Sequence, residues 1–134
     1  MLVADASSLV DFLIRRRAVG DWVADRVGEA VLLHCPHLVD VEVVSALRRL
    51  VSHAGLPTAV ADEALERFPQ LRIQRYPVTL LLQRLWSLRS TLSAYDACYV
   101  ALSEGLGLPL LTTDTRLARS RGHTAQIIAP PARL

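Results

Sequence analysis

Four acidic side chains stand in places where an acid needs a reason. Asp5 ends a short apolar run, LVA, and is followed at once by Ala6, Ser7 and Ser8. Glu42 lies in an apolar-striped segment, LVDVEVVSALRR. Asp96 sits near the start of SAYDACYVALSE, and Asp114 directly follows PLLTT. A buried carboxylate without a partner is costly. If these four converge, their charges repel, raise one another's pKa values and call for a cation among them. Oxygen donors with no His or Cys alongside suit Mg²⁺ or Mn²⁺ rather than Zn²⁺. One or two such ions can activate water and stabilise the leaving oxygen in phosphodiester cleavage. Each acid also has a plainer reading. Asp5 and Asp114 are placed as helix N-caps, and Ser93-x-x-Asp96 has the form of a capping box. Glu42 could simply pair with Arg49 or face solvent. On a helical wheel Glu42 and Asp40 fall on opposite edges of the apolar stripe, so the wheel does not choose between them.

Other chemistries are excluded by what the sequence lacks. All 15 basic residues are arginine and none is lysine, so neither a P-loop nor a receiver-type phosphorylation site can be built. There is no Ser-His-Asp set and no Cys–His nucleophile spacing. His34 and His37 straddle a turn without a third ligand nearby, which favours a turn or surface role. Cys35 and Cys98 are far apart and read as small core hydrophobes of a reduced, cytoplasmic protein. The net charge is only +2, so RNA binding is permitted by the arginine forks but not required. Arg15–Arg17 reads as a solvated helix end, and Asp11 as solvent-facing.

The elements that must position these residues follow from periodicity. The chain of 134 residues, 51% hydrophobic, is expected to form one domain over 1–134. No apolar run reaches the ~18–20 residues of a membrane span, and no leader segment is apparent. Strands are expected at 2–4, 31–35, 71–77, 109–113 and 125–130. Helices are expected over 6–17, 18–29, 37–54 (begun by Pro36), 57–69, 78–90, 94–104 and 115–122. Asp62, Glu63 and Glu66 read as a solvated face. The helix 78–90 is apolar on more than one side, so it is either buried twice or meets a partner chain. Alternation of this kind predicts an α/β, three-layer α/β/α domain with a short, mainly parallel central sheet. In such sheets ligands lie beyond the carboxyl ends of the strands, where Asp5 and Asp114 both fall and Asp96 can reach.

The blocks VADASS at 3–8, LVDVEVVSALRR at 38–49, SAYDACYVALSE at 93–104 and LLTTDTRLA at 110–118 together resemble a PIN domain, specifically a VapC-type toxin ribonuclease. The resemblance spans nearly the whole chain. It implies that Asp5, Glu42, Asp96 and Asp114 form the acidic quartet, choosing Glu42 over Asp40. It also implies that Ser7, Thr112 and Thr113 orient carboxylates or waters. Asp5 and Asp96 would be metal ligands, Glu42 would bind metal or activate water, and Asp114 would complete the cage. The family implies a Mg²⁺- or Mn²⁺-dependent endoribonuclease acting on structured RNAs such as transfer or ribosomal RNA. It further implies a homodimer and a cognate VapB-type antitoxin.

Three rivals remain on the sequence. An RNase H-like nuclease would need an antiparallel meander, and the hairpin turns for one are missing. A phosphatase with an aspartate nucleophile would need a second Asp two residues after Asp5, where Ser7 stands. A non-catalytic PIN-like scaffold that only binds RNA or an antitoxin is opposed by the intact quartet.

Overall fold

The computed structural model describes all residues, 1–134. Strand β1 (Leu2–Ala4) is buried at every position, as a strand covered on both faces must be. It lies at the centre of a five-stranded sheet of order β3-β2-β1-β4-β5. The other strands are β2 (Leu33–Pro36), β3 (Ile73–Tyr76), β4 (Leu110–Leu111) and β5 (Ile127–Ile128), and every pairing is parallel. Around them run α1 (Ala6–Ile14), α2 (Arg17–Glu29), α3 (Leu38–His53), α4 (Thr58–Arg67), α5 (Leu82–Ser87), α6 (Ala94–Leu106) and the single turn α7 (Thr115–Ala118).

The strand order fixes the layers. From β1 to β3 the chain moves outward along the sheet, then crosses back to β4 on the far side of β1. Right-handed crossovers therefore place α1–α4 on one face and α5–α7 on the other. The packing agrees: α1 lies against α2, α3 and α4, whereas α6 lies on β1, β2 and β4. Helix α6 is buried from Ala97 through Ser103, which explains its lack of a polar face. The direction reverses between β1 and β4, which leaves a crevice at their carboxyl ends. Asp5 follows one of these strands and Asp114 lies just beyond the other.

The α/β class and parallel sheet match the expectation, but several boundaries differ. Pro36 ends β2 opposite Tyr76 instead of starting a helix. Its missing N–H is not needed there, because His37 N–H donates to Tyr76 O at 2.9 Å. The expected helix 78–90 is a 3₁₀ turn over Val78–Leu81 followed by the short α5. The Ser87 and Thr91 hydroxyls donate to the carbonyls of Arg84 and Leu88, and so help end the helix at Leu88. This segment is not buried on two sides. Leu88 enters the core and Leu81 and Leu85 pack against it, while Leu80, Leu82 and Trp86 face outward. Strands β4 and β5 are each only two residues long.

Between α1 and α2 the chain turns within two residues. Arg15 and Arg17 both take left-handed backbone, φ 50° and 56°. Gly20 lets α2 close on this turn, since a Cβ there would lie 2.7 Å from Asp11 O.

Candidate active site

Asp5 is positioned by the end of β1 and by the start of α1. Its backbone N–H donates to Leu111 O across to β4 at 3.1 Å. Its side chain caps α1, accepting from Ser8 N–H at 2.9 Å and from Ser7 Oγ at 2.8 Å on the same oxygen. Thr112 Oγ1 donates to the other oxygen, Oδ2. That same hydroxyl accepts from Asp114 N–H at 3.0 Å. Thr112 thus ties the first acid of the chain to the backbone of the last. Asp5 is 5% exposed. Burial pushes its carboxyl up to about 6, against the opposing pull of the Thr112, Ser7 and Ser8 donors.

The other acids come from three further elements. Glu42 projects from α3, and Tyr99 Oη on α6 donates to its Oε1 at 2.6 Å. Burial raises the pKa of Glu42; the Tyr99 hydrogen bond lowers it, and the nearby Asp96 charge raises it further. Asp96 stands in the first turn of α6, where its N–H donates to the Ser93 cap at 3.2 Å. Burial and then the charge of Asp114 raise its pKa. Asp114 caps α7, accepting from Arg116 N–H at 2.8 Å, and Arg116 Nη2 lies 3.6 Å from its Oδ2.

All four acids line one cavity of about 300 Å³, together with Ser7, Arg49, Tyr99 and Arg116. The cap readings of Asp5 and Asp114 are therefore correct locally, only the Ser93 arm of the expected Ser93–Asp96 box is formed, and none of this competes with a place in the cavity. The carboxylates are not drawn in on one another, and no three of them are close enough as they stand to hold a metal ion. As they stand, Asp5, Glu42 and Asp114 are each engaged by hydrogen bonds from the protein. The donor chemistry does fit a hard divalent cation, since the cavity offers carboxylates and hydroxyls and no imidazole or thiol.

The structure separates Glu42 from Asp40. Asp40 does not line the cavity; Arg75 on β3 grips it, with Nε 3.0 Å from each oxygen and Nη2 2.7 Å from Oδ1. Ser7 and Thr112 contact Asp5 as the resemblance implies, but Thr113 differs. Its Oγ1 donates to Asp11 at 2.7 Å, and its N–H to Ser7 Oγ. Asp11 is consequently half-buried and not solvent-facing, because Thr113 reaches it from the β4 side. His34 is also buried, with Nδ1 2.7 Å from Tyr76 Oη, and His37 is exposed. Cys35 and Cys98 are free and buried. Sequence reasoning does not single out Tyr99, Arg49 or Arg116 for the site. Tyr99 follows Asp96 by three residues, and that spacing puts both on one helix face.

A wholly parallel sheet with acids and arginines gathered at its switch-point crevice defines an acid-cluster α/β domain. A PIN domain model matches residues 2–122. Ribonuclease VapC9 of Mycobacterium tuberculosis is 44% identical over 118 residues, 88% of this chain and 89% of that protein. Ribonuclease VapC12 of the same organism is 43% identical, with 95% of this chain and 97% of that protein covered. The structure of PAE2754 from Pyrobaculum aerophilum shares the fold, with a TM-score of 0.64 at 23% identity over 94% of this chain and 82% of that one. The chain belongs to the PIN-domain family, and within it to the VapC group.

Proposed function

We propose that this protein is a divalent-metal-dependent endoribonuclease, the toxin of a VapBC-like toxin–antitoxin pair, and that Asp5, Glu42, Asp96 and Asp114 form its catalytic centre. The observation that carries the reading is the single cavity that collects these acids from four separate elements at the sheet's switch point. Membership of the VapC group supports the choice of RNA as substrate. Asp5, Asp96, Glu42 and Asp114 would hold Mg²⁺ or Mn²⁺. When bound, that ion lowers the pKa of a water and offsets the charge that develops on the phosphate.

The protein's own groups divide the remaining work. Asp5 is fixed on both oxygens, so it can serve as a rigid anchor. Glu42 has Oε1 held by Tyr99, which leaves Oε2 to take the proton of the attacking water. Water oxygen bonds to phosphorus, one P–O ester bond breaks, the departing ribose oxygen takes a proton from solvent water, and Glu42 returns its proton to solvent. Arg49 and Arg116, at the cavity wall, are suited to the phosphate oxygens. A cognate VapB-like antitoxin would silence the site. No helix is long and apolar enough to cross a membrane. The outward Leu80, Leu82 and Trp86 support assembly as a homodimer, and a monomer in light scattering would count against that assembly.

The test is cleavage of total cellular RNA by the purified chain with Mg²⁺ or Mn²⁺, followed by sequencing of the RNA ends. Asp5→Asn and Asp96→Asn should each lower cleavage at least a hundredfold with an unchanged circular dichroism spectrum. Cleavage at the wild-type rate by both variants would reject the assignment. Binding of RNA or antitoxin without any cleavage would leave the scaffold reading in its place.

A further inference from the structure

The acidic cavity repels the phosphate chain it is proposed to cut, so cations outside the quartet must bring that chain in. The cavity shares lining residues with a neighbour, and that neighbour with a third, along one side of the molecule. Ser7, Ala46 and Arg49 line both the acidic cavity and a second one of about 240 Å³. Asp11 and Arg16 line both that second cavity and a third of about 170 Å³, which adds Arg17 and Thr113. Arg49, Arg16 and Arg17 are exposed, and none of them makes an ion pair. Arg15, between α1 and the turn, differs: it pairs with Asp21 and lies over Phe12. The acid in the groove, Asp11, is already engaged by Thr113 and sits in the field of Arg16.

The turn that carries Arg16 and Arg17 is held in place. Left-handed residues flank Arg16, Gly20 N–H donates to Arg16 O at 2.9 Å, and α2 closes on the turn at Gly20. Such backbone persists only where its surroundings fix it. The groove's lining also distinguishes its ligand. Around Arg17 it is polar, with Val19 the single hydrophobic residue, while the middle cavity sets Val10, Ala46 and Leu50 beside Arg16 and Arg49. Three exposed guanidinium groups without ion pairs suit the repeating negative charge of a phosphate backbone, which the apolar face of a protein helix does not offer.

We propose that Arg49, Arg16 and Arg17 form a phosphate track that leads a single RNA strand from the α1–α2 turn into the acidic cavity. The proposal rests on the ribonuclease reading and names where its substrate lies. Asp5 is recessed, so the reacting phosphate must leave the surface to approach it, which a flexible single strand does more readily than a duplex.

The experiment is fluorescence anisotropy with a labelled single-stranded oligoribonucleotide and a labelled blunt-ended duplex, using the full chain in EDTA so that binding is read without cleavage. The triple variant Arg16→Gln, Arg17→Gln, Arg49→Gln is compared with the equally charged control Arg72→Gln, Arg121→Gln, Arg133→Gln. The track variant should bind the single strand roughly tenfold or more weakly, and its log K against log salt slope should fall by about 2, from about 0.7 per lost phosphate contact. The triple lysine variant should keep most of that slope, and the control should stay near wild type. The proposal is overturned if track and control variants lose affinity equally, if the blunt-ended duplex binds as tightly as the single strand, or if the track variant loses only its hold on a co-expressed antitoxin. Wild-type protein that cleaves RNA while the track proves dispensable removes the track alone; wild-type protein that neither binds nor cleaves RNA removes the ribonuclease reading as well.

Discussion

The phenol of Tyr99 donates to Oε1 of Glu42 at 2.6 Å, and this one bond joins the buried helix α6 to α3 at the wall of the acidic cavity. Tyr99 is 2% exposed, and its hydroxyl, at the cavity wall, is committed to Glu42. The bond orients Glu42 and favours its charged form against burial and against Asp96. Tyr99→Phe should therefore lower cleavage about tenfold and raise the metal concentration needed for half-maximal activity. The cost in stability should be about 1 kcal/mol. A metal titration of cleavage beside a urea unfolding curve reads both, and a variant with unaltered metal dependence would show that Glu42 needs no such support.

Asp5 makes the metal-free protein pH-sensitive in a defined direction. Its pKa is about 6 in the fold against 3.8 ordinarily, so the folded chain binds that proton more tightly than the unfolded one. The stability it contributes is complete below about 3.8 and is lost as pH rises through 6, a change of about 3 kcal/mol. Asp11, Glu42 and Asp96 are raised too and act with the same sign. Asp5→Asn should abolish cleavage and yet make the metal-free protein more stable than wild type at pH 7, by about 1–3 kcal/mol. Urea unfolding in EDTA between pH 4 and 7 measures this. An Asn variant that is less stable than wild type at pH 7 would mean that the site is not strained by its charge.

The sequence carries the α/β class and the location of the acids well, because alternating apolar runs and cap residues are local signals. It does not choose Glu42 over Asp40 by periodicity, since both flank one stripe. The decision lies in a long-range partner, Arg75 on β3, which claims Asp40. Asp11 reads as solvent-facing for the same reason: the residue that draws it inward, Thr113, is 102 positions away. The 78–90 segment is a 3₁₀ turn and a short helix, and hydroxyl bonds at Ser87 and Thr91 compete with continuation of that helix past Leu88. Cap geometry is legible, but whether a cap also faces a cavity depends on neighbours that periodicity does not reveal.

Glu104 has the opposite titration to Asp5. Arg84 donates to both its oxygens, at 2.8 and 2.9 Å, and Thr124 adds its N–H and hydroxyl to Oε2. The Arg84 hydrogen bonds hold its carboxyl down at about 2, below the ordinary 4.5. The stability it contributes is therefore present above 4.5 and lost as pH falls through 2. This clamp joins α5 and α6 to the segment that leads into β5. Glu104→Gln should lower Tm at pH 7 by about 5 °C, and the gap to wild type should narrow steadily below pH 4. A gap that is constant with pH would show that the lost contact is steric and not ionic.

Two glycines of α2 should respond oppositely to the same substitution. A Cβ on Gly20 would stand 2.7 Å from both Asp11 O and Arg15 C, and 2.8 Å from Arg15 Cα. These are backbone atoms and cannot swing aside, so Gly20→Ala must push α2 off the α1–α2 turn. Overpacking of this kind costs about 1–3 kcal/mol, against about 1 kcal/mol gained from the better helix former. At Gly28 a Cβ would enter open space, with no atom within 4 Å, so Gly28→Ala keeps only the gain. Urea midpoints should therefore fall for Gly20→Ala and rise for Gly28→Ala, the latter by about 0.5–1 kcal/mol in stability. Displacement of the turn would also move Arg16 and Arg17, so Gly20→Ala should weaken single-strand RNA binding while Gly28→Ala leaves it alone. A Gly20→Ala protein as stable as wild type would mean that the close approach of the two helices is relieved at little cost, and that the turn is not fixed by Gly20.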